Sequence, residues 1–235
     1  MAISLVGFDA DDTLWHSESH FALTEDRFRA LVSPWSERGE TSERLLARER
    51  ANLELFGYGV KGFILSMIET AIDVSDSAIP VEAIQQIVEW GKEMMAHPVE
   101  LIDGVTDVLD TVGRSYRMIL ITKGDLFHQE SKIAESGLAE RFERVEILSE
   151  KSPRHYREVL SRTGVDASEF VMVGNSLRSD VAPVVEIGAT GVHVPYTITW
   201  GHEQVADGSL DDRQGDRART LATIRDLPTL LSELA

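Results

Sequence analysis

A chain of 235 residues with 43% hydrophobic side chains is long and apolar enough for one large domain or a core with a smaller companion, and too apolar for a disordered protein. It contains no cysteine, which excludes disulfides, thiolate metal sites and cysteine nucleophiles. The formal charge of -17 argues against nucleic acid as a partner, because a phosphate backbone demands a basic face, and is read as a solvated, solubilising surface. The opening run Met1–Phe8 has no basic region and passes straight into Asp9, Asp11 and Asp12, unlike a secretory signal. With no stretch approaching bilayer length, no membrane partner and a cytoplasmic location are expected.

In chain order, the first apolar run rich in β-formers is Ile3–Phe8. From about Ser17 the pattern turns helical: Glu25–Leu31, Ser42–Phe56, Val60–Ile72 and Val81–Met95 carry apolar residues at three-to-four spacing. Pro34, Gly57-Tyr58-Gly59 and Pro80 punctuate them. Roughly eighty residues is far more than a single crossover helix needs, so 17–97 is predicted to be an inserted helical domain. Strand-like runs Arg117–Ile121, Val145–Leu148, Phe170–Val173 and Thr190–Val194 follow, with helical patterns at Gln129–Ser136, Pro153–Thr163 and Asp180–Ile187. Alternation of this kind predicts a three-layer α/β/α, Rossmann-like parallel sheet formed by 1–16 and 98–235. Pro195–Arg219 reads as a polar surface excursion before a short C-terminal helix.

In an open parallel sheet, ligands bind beyond the carboxyl ends of the strands. The residues there are Asp9-Ala10-Asp11-Asp12-Thr13, Thr122-Lys123-Gly124-Asp125, Ser149-Glu150-Lys151 and Gly174-Asn175-Ser176-Leu177-Arg178-Ser179-Asp180. Taken singly, each has a plain structural explanation as a cap, a turn or a surface charge. An EF-hand calcium loop beginning at Asp9 fails on spacing, with Leu14 where glycine is needed and His20 where glutamate is needed. His16 and His20, four apart, lack a third zinc ligand. Ser152 is a good N-cap and Pro153 a good first helical residue, so Lys151 stands at a helix N-terminus that favours anions. The order of all four segments, each after a strand, carries the argument.

That order resembles the haloacid dehalogenase superfamily, mainly its phosphatase branch with a helical cap inserted after the first motif. The match runs through Asp9-Ala10-Asp11-Asp12-Thr13 as D-x-D-x-T, then Thr122, Lys151 and Gly174–Asp180. The resemblance implies that Asp9 attacks phosphorus and that Asp11 is the general acid and base, with Thr13 in support. Thr122, Lys123 and Lys151 would hold phosphoryl oxygens. Mg²⁺ would bind Asp9, the Asp11 carbonyl and a fourth-motif side chain. There the chain departs from the family, with Gly174-Asn175 in place of Gly-Asp, so Asn175 or Asp180 is the expected ligand. Tyr58 and Lys61 lie at a break between cap helices, where relatives select substrate. The implied substrate is a small phosphorylated metabolite. A phosphomutase of the β-phosphoglucomutase type shares every motif. Carbon–halogen cleavage is disfavoured by Asp11, and a phospho-receiver signalling domain by length and the large insertion. Oligomeric state is not legible.

Overall fold

The computed structural model describes residues 2–198 and 217–234. Its sheet is formed by β1 (Leu5–Phe8), β2 (Arg117–Lys123), β3 (Arg144–Leu148), β4 (Phe170–Gly174), β5 (Thr190–His193) and β6 (Ala218–Thr220). All pairings are parallel, in the order β3-β2-β1-β4-β5-β6. The order reverses at β1, whose Phe8 is registered with Leu120 on one side and Val173 on the other. A crevice therefore opens beyond β1 and β4, where the two directions of winding part.

The central strands carry the unbroken apolar runs Leu5–Phe8, Met118–Ile121 and Phe170–Val173 because both faces are covered. Val6, Phe8, Leu120 and Val173 face α5 (Val105–Val112) and α9 (Leu227–Leu234) through Val108, Leu109, Leu227 and Leu231. Leu5, Ile121, Phe170 and Met172 face α7 (Pro153–Thr163) and α8 (Ala182–Glu186) through Tyr156, Val159, Leu160 and Val184. The fold is thus a three-layer α/β/α, Rossmann-like core. Gly7 is demanded by this packing, since a Cβ there would stand 2.7 Å from the Phe170 ring.

The chain divides into two compact units, one made of Met1–His16, Val99–Lys123 and Gln129–Ala235, the other of Ser17–Pro98 and Gly124–His128. In the first, the chain leaves and returns side by side: His16 N–H donates to Glu100 at 3.0 Å and Ile102 N–H to Leu14 at 2.9 Å. The second holds α1 (Glu18–Val32), α2 (Arg38–Phe56), α3 (Val60–Val74) and α4 (Val81–Met95) around Phe28, Leu45, Met67 and Ile87. The start of α6 (Leu126–Glu135) belongs to this unit and the rest to the first.

Differences from the sequence reading have local causes. Helix α1 begins seven residues before the predicted start because its buried face includes a polar residue, Thr24, whose hydroxyl donates to His20 carbonyl at 2.9 Å. Helix α5 was not predicted, although Val105, Val108, Leu109 and Val112 carry its spacing. The edge strand β6 has no apolar run and begins inside the predicted excursion Pro195–Arg219. Residues 199–216 of that excursion lie outside the described residues.

Candidate active site

Asp9 is the first residue past β1, and its backbone N–H still reaches Val173 carbonyl at 2.8 Å. The chain then turns sharply. Ala10 carbonyl accepts from Leu14 N–H at 2.8 Å, and Asp12 takes a left-handed conformation with φ 61°. This turn brings Thr13 back to the Asp9 carboxylate. Its hydroxyl donates to Asp9 Oδ2 at 3.0 Å and accepts from Asn175 N–H at 3.1 Å, tying the loop after β1 to the loop after β4.

Lys151 closes the other side. Ser152 caps α7, with its side chain accepting from His155 N–H, and so fixes where Lys151 leaves the chain. Lys151 is 3% exposed, and its ammonium donates to Asp9 Oδ1 and, at 2.7 Å, to Asp180 Oδ1. Asp180 sits in a π-helical turn, Leu177–Val181, and its Oδ2 accepts from Ser176 N–H at 3.0 Å. Gly174 leaves room for that carboxylate, because a Cβ there would lie 2.2 Å from Asp180 Oδ2.

Burial pushes the Asp9 carboxyl up to about 7, with Lys151 opposing and the Asp180 carboxylate adding to the rise. Burial also disfavours charge on Lys151, but Asp180 and Asp9 outweigh it and hold the amine above the ordinary lysine range, as ammonium. The raised Asp9 value has a consequence for stability. Native protein binds more protons than unfolded chain between the unfolded value of about 4 and the native value, so stability falls as pH rises through that window. In metal-free buffer, Asp9→Asn should therefore melt progressively higher than wild type as pH goes from about 4 to 7. Thermal melts in chelator check this, and a constant offset across pH contradicts it.

The remaining residues named from the sequence are placed as follows. Thr122 is buried at the end of β2 beside the site. Lys123 sends its ammonium to Ser179 Oγ at 2.9 Å and stands 3.8 Å from Glu150. Tyr58, between Gly57 and Gly59 with φ 70° and 109°, belongs to the helical unit, as does Lys61. The Lys61 ammonium pairs with Asp125 at 3.0 and 2.9 Å in that same unit.

Among the described residues, no cluster of three or more His, Cys, Asp and Glu side chains is set to hold a metal ion. A metal would need the amide of Asn175 and a backbone carbonyl. These are present: one end of the Asn175 amide lies 3.2 Å from Asp9 Oδ2 and 3.3 Å from Asp11 carbonyl. With nitrogen at that end, the amide donates to both oxygens. With oxygen there, its distances from both other oxygens are close to the spacing of roughly 3 Å expected for neighbouring ligands around magnesium. The residues fit the ion. Asp180, the alternative from the sequence, spends its oxygens on Lys151 and Ser176.

Asn175→Asp puts a carboxylate where the metal-free protein uses an amide donor. It should lower the melting temperature in chelator and increase the rise produced by magnesium. Melts across a magnesium titration test this, and an unchanged metal dependence contradicts it.

A family model described as haloacid dehalogenase-like hydrolase matches residues 3–188. The chain belongs to the haloacid dehalogenase-like hydrolases. A haloacid dehalogenase-like family hydrolase from Xanthomonas campestris is similar at 45% identity and a TM-score of 0.87, over 99% of this chain and 92% of that one. A 2-haloacid dehalogenase from Pseudomonas syringae shares the fold at 22% identity and a TM-score of 0.61, over 99% of this chain and 100% of its own. A predicted phosphoglycolate phosphatase from Haemophilus somnus shares it at 15% identity and 0.65, over 97% of both chains. No curated protein matches the chain.

In this haloacid dehalogenase-like hydrolase, the sequence reading overlooked the surroundings of Asp11. Its Oδ1 accepts from Trp15 Nε1 at 2.7 Å and Lys132 Nζ at 2.6 Å, and its Oδ2 from Gln129 Nε2 at 2.9 Å and Lys132 at 2.8 Å. Burial alone would raise the Asp11 carboxyl, but Lys132, Gln129 and Trp15 together hold it below the usual carboxylate range. The available signal was Gln129 and Lys132, three apart on a helix predicted to follow the second strand.

Proposed function

We propose that this hydrolase is a magnesium-dependent phosphatase of small phosphorylated metabolites, working through an aspartyl-phosphate on Asp9. The observation that carries the reading is a second, hydrogen-bonded carboxylate, Asp11, two residues beyond a nucleophile position already paired with a buried ammonium. Displacing halide needs no such acid; expelling an alkoxide from phosphorus does.

In the proposed reaction Asp9 attacks phosphorus, the bond to the leaving oxygen breaks, and Asp11 supplies that oxygen with a proton. Water then attacks the phosphorus of the aspartyl-phosphate, Asp11 removes its proton, and the bond from phosphorus to Asp9 breaks, releasing inorganic phosphate and the free carboxylate. Lys151, fixed by Asp180, neutralises phosphoryl charge beside Asp9, and Thr122 contributes its hydroxyl. Magnesium, held by Asp9, the Asp11 carbonyl and Asn175, would supply further positive charge to the phosphoryl oxygens. Lysine and ion together make an anionic substrate compatible with a chain of net charge -17. Because Lys132 opposes protonation of Asp11, esters with acidic leaving groups are expected to be the faster substrates.

In this reading 17–97 is a cap domain that selects substrate, with Tyr58 and Lys61 as its candidate residues, and the enzyme works in the cytoplasm. Among the described residues no helix is long and apolar enough to cross a membrane. The test is a panel of phosphorylated metabolites assayed with magnesium for phosphate release. Isomerised sugar phosphate in place of free phosphate would show a mutase. Halide release from 2-haloacids without phosphate release would overturn the reading.

A further inference from the structure

We infer that Gln129, seconded by Lys132 one turn along α6, is a positioning residue that sets both Asp11 and Thr122 for the reaction. The inference rests on the phosphatase reading above. Gln129 lies outside the four motif segments and is 3% exposed, yet its single amide nitrogen stands 2.9 Å from Asp11 Oδ2, 3.2 Å from Thr122 Oγ1 and 2.7 Å from Lys123 carbonyl. Those three acceptors come from the loop after β1 and the end of β2, and they share the two hydrogens of the amide. A side chain that only filled space would not need its nitrogen at that junction. Its Oε1, by contrast, is buried with no hydrogen-bond partner, so the side chain is oriented for its nitrogen at the expense of its oxygen.

Each contact has a defined chemical effect. A hydroxyl oxygen that accepts from Gln129 must direct its own hydrogen elsewhere, so Thr122 is held as a donor, the role a phosphoryl oxygen requires. Asp11 is gripped on one oxygen by Gln129 and Trp15 is on the other, while Lys132 bridges both. With both oxygens engaged, the carboxylate has one orientation. Gln129 is neutral, so removing it disturbs geometry and leaves the charges of Asp11 and Lys132 in place.

The experiment compares wild type with Gln129→Leu and Gln129→Glu on a series of phosphate monoesters whose leaving groups run from nitrophenol to simple alcohols, with inorganic phosphate as inhibitor. A misplaced acid matters only where the leaving oxygen needs a proton. Gln129→Leu should lose roughly 10²-fold in kcat on alkyl esters and only about threefold on nitrophenyl phosphate, the cost of a catalytic group out of place. It should also bind inorganic phosphate more weakly, through Thr122. Gln129→Glu, which keeps the shape and sets an acceptor against Asp11, should lose more than Gln129→Leu on alkyl esters. Melting temperatures show whether each variant is folded, and the comparison across leaving groups within one variant is independent of the amount of active protein. An equal loss on every ester, or no loss, overturns the inference while leaving the phosphatase reading intact. A wild type inert on the whole series overturns both.

Discussion

Asp9→Asn is expected to lose about 10⁴-fold or more in turnover while remaining folded. An amide is almost the same shape as the carboxylate it replaces but cannot attack phosphorus. Lys151 would lose one of its two carboxylate partners and keep the other, Asp180, at 2.7 Å. The buried cluster of one ammonium and two carboxylates would become a neutral pair, which is the reason the metal-free variant should gain stability relative to wild type as pH rises. Loss of activity together with gain of stability separates a chemical role from a structural one. Steady-state assays on the best substrate of the panel, beside thermal melts, measure both. An active Asp9→Asn enzyme contradicts the mechanism.

Lys151→Met should have the opposite pairing of effects, losing both activity and fold stability. With the ammonium gone, Asp9 and Asp180 face each other in a site where their side chains are 9% and 1% exposed. Breaking a buried ion pair from one side commonly costs 3–5 kcal/mol, because the remaining charge has no compensation (about that range is expected here). The loss should grow as pH rises past about 7, where wild-type Asp9 ionises against Lys151 while the variant, without that ammonium, holds the carboxyl higher still. Lys151→Arg is not expected to restore function, since a planar guanidinium does not fit a site shaped for a compact ammonium. Denaturation at two pH values in chelator measures the effect. Wild-type stability in Lys151→Met at pH 8 contradicts this account of the cluster.

The sheet was legible because its central strands carry unbroken apolar runs, a pattern that burial on both faces imposes on Leu5–Phe8, Met118–Ile121 and Phe170–Val173. The candidate site followed from topology, since loops after parallel strands share one edge. Asp9, Asp11, Thr122, Lys151, Asn175 and Asp180 were all named on that argument. Their division of labour was less legible. Asn175 and Asp180 stand on one short segment, and only coordinates separate an amide facing Asp9 from a carboxylate paired with Lys151. Gly174 gave no signal either, because its reason is a side chain six residues on. The surroundings of Asp11 were hidden for a related reason: Gln129 and Lys132 are distant in sequence and lie on a helix whose inward face carries polar residues that resemble a solvated surface.

The most direct test of the central claim is to quench the enzyme during turnover of a phosphate ester and locate the phosphoryl group by mass spectrometry. The account predicts an acid-stable, base-labile phosphoryl adduct on the peptide bearing Asp9, absent from Asp9→Asn and accumulating when Asp11 is replaced by Asn with an activated ester. Steady release of phosphate with no adduct at Asp9 in either enzyme, or an adduct on another residue, would contradict it.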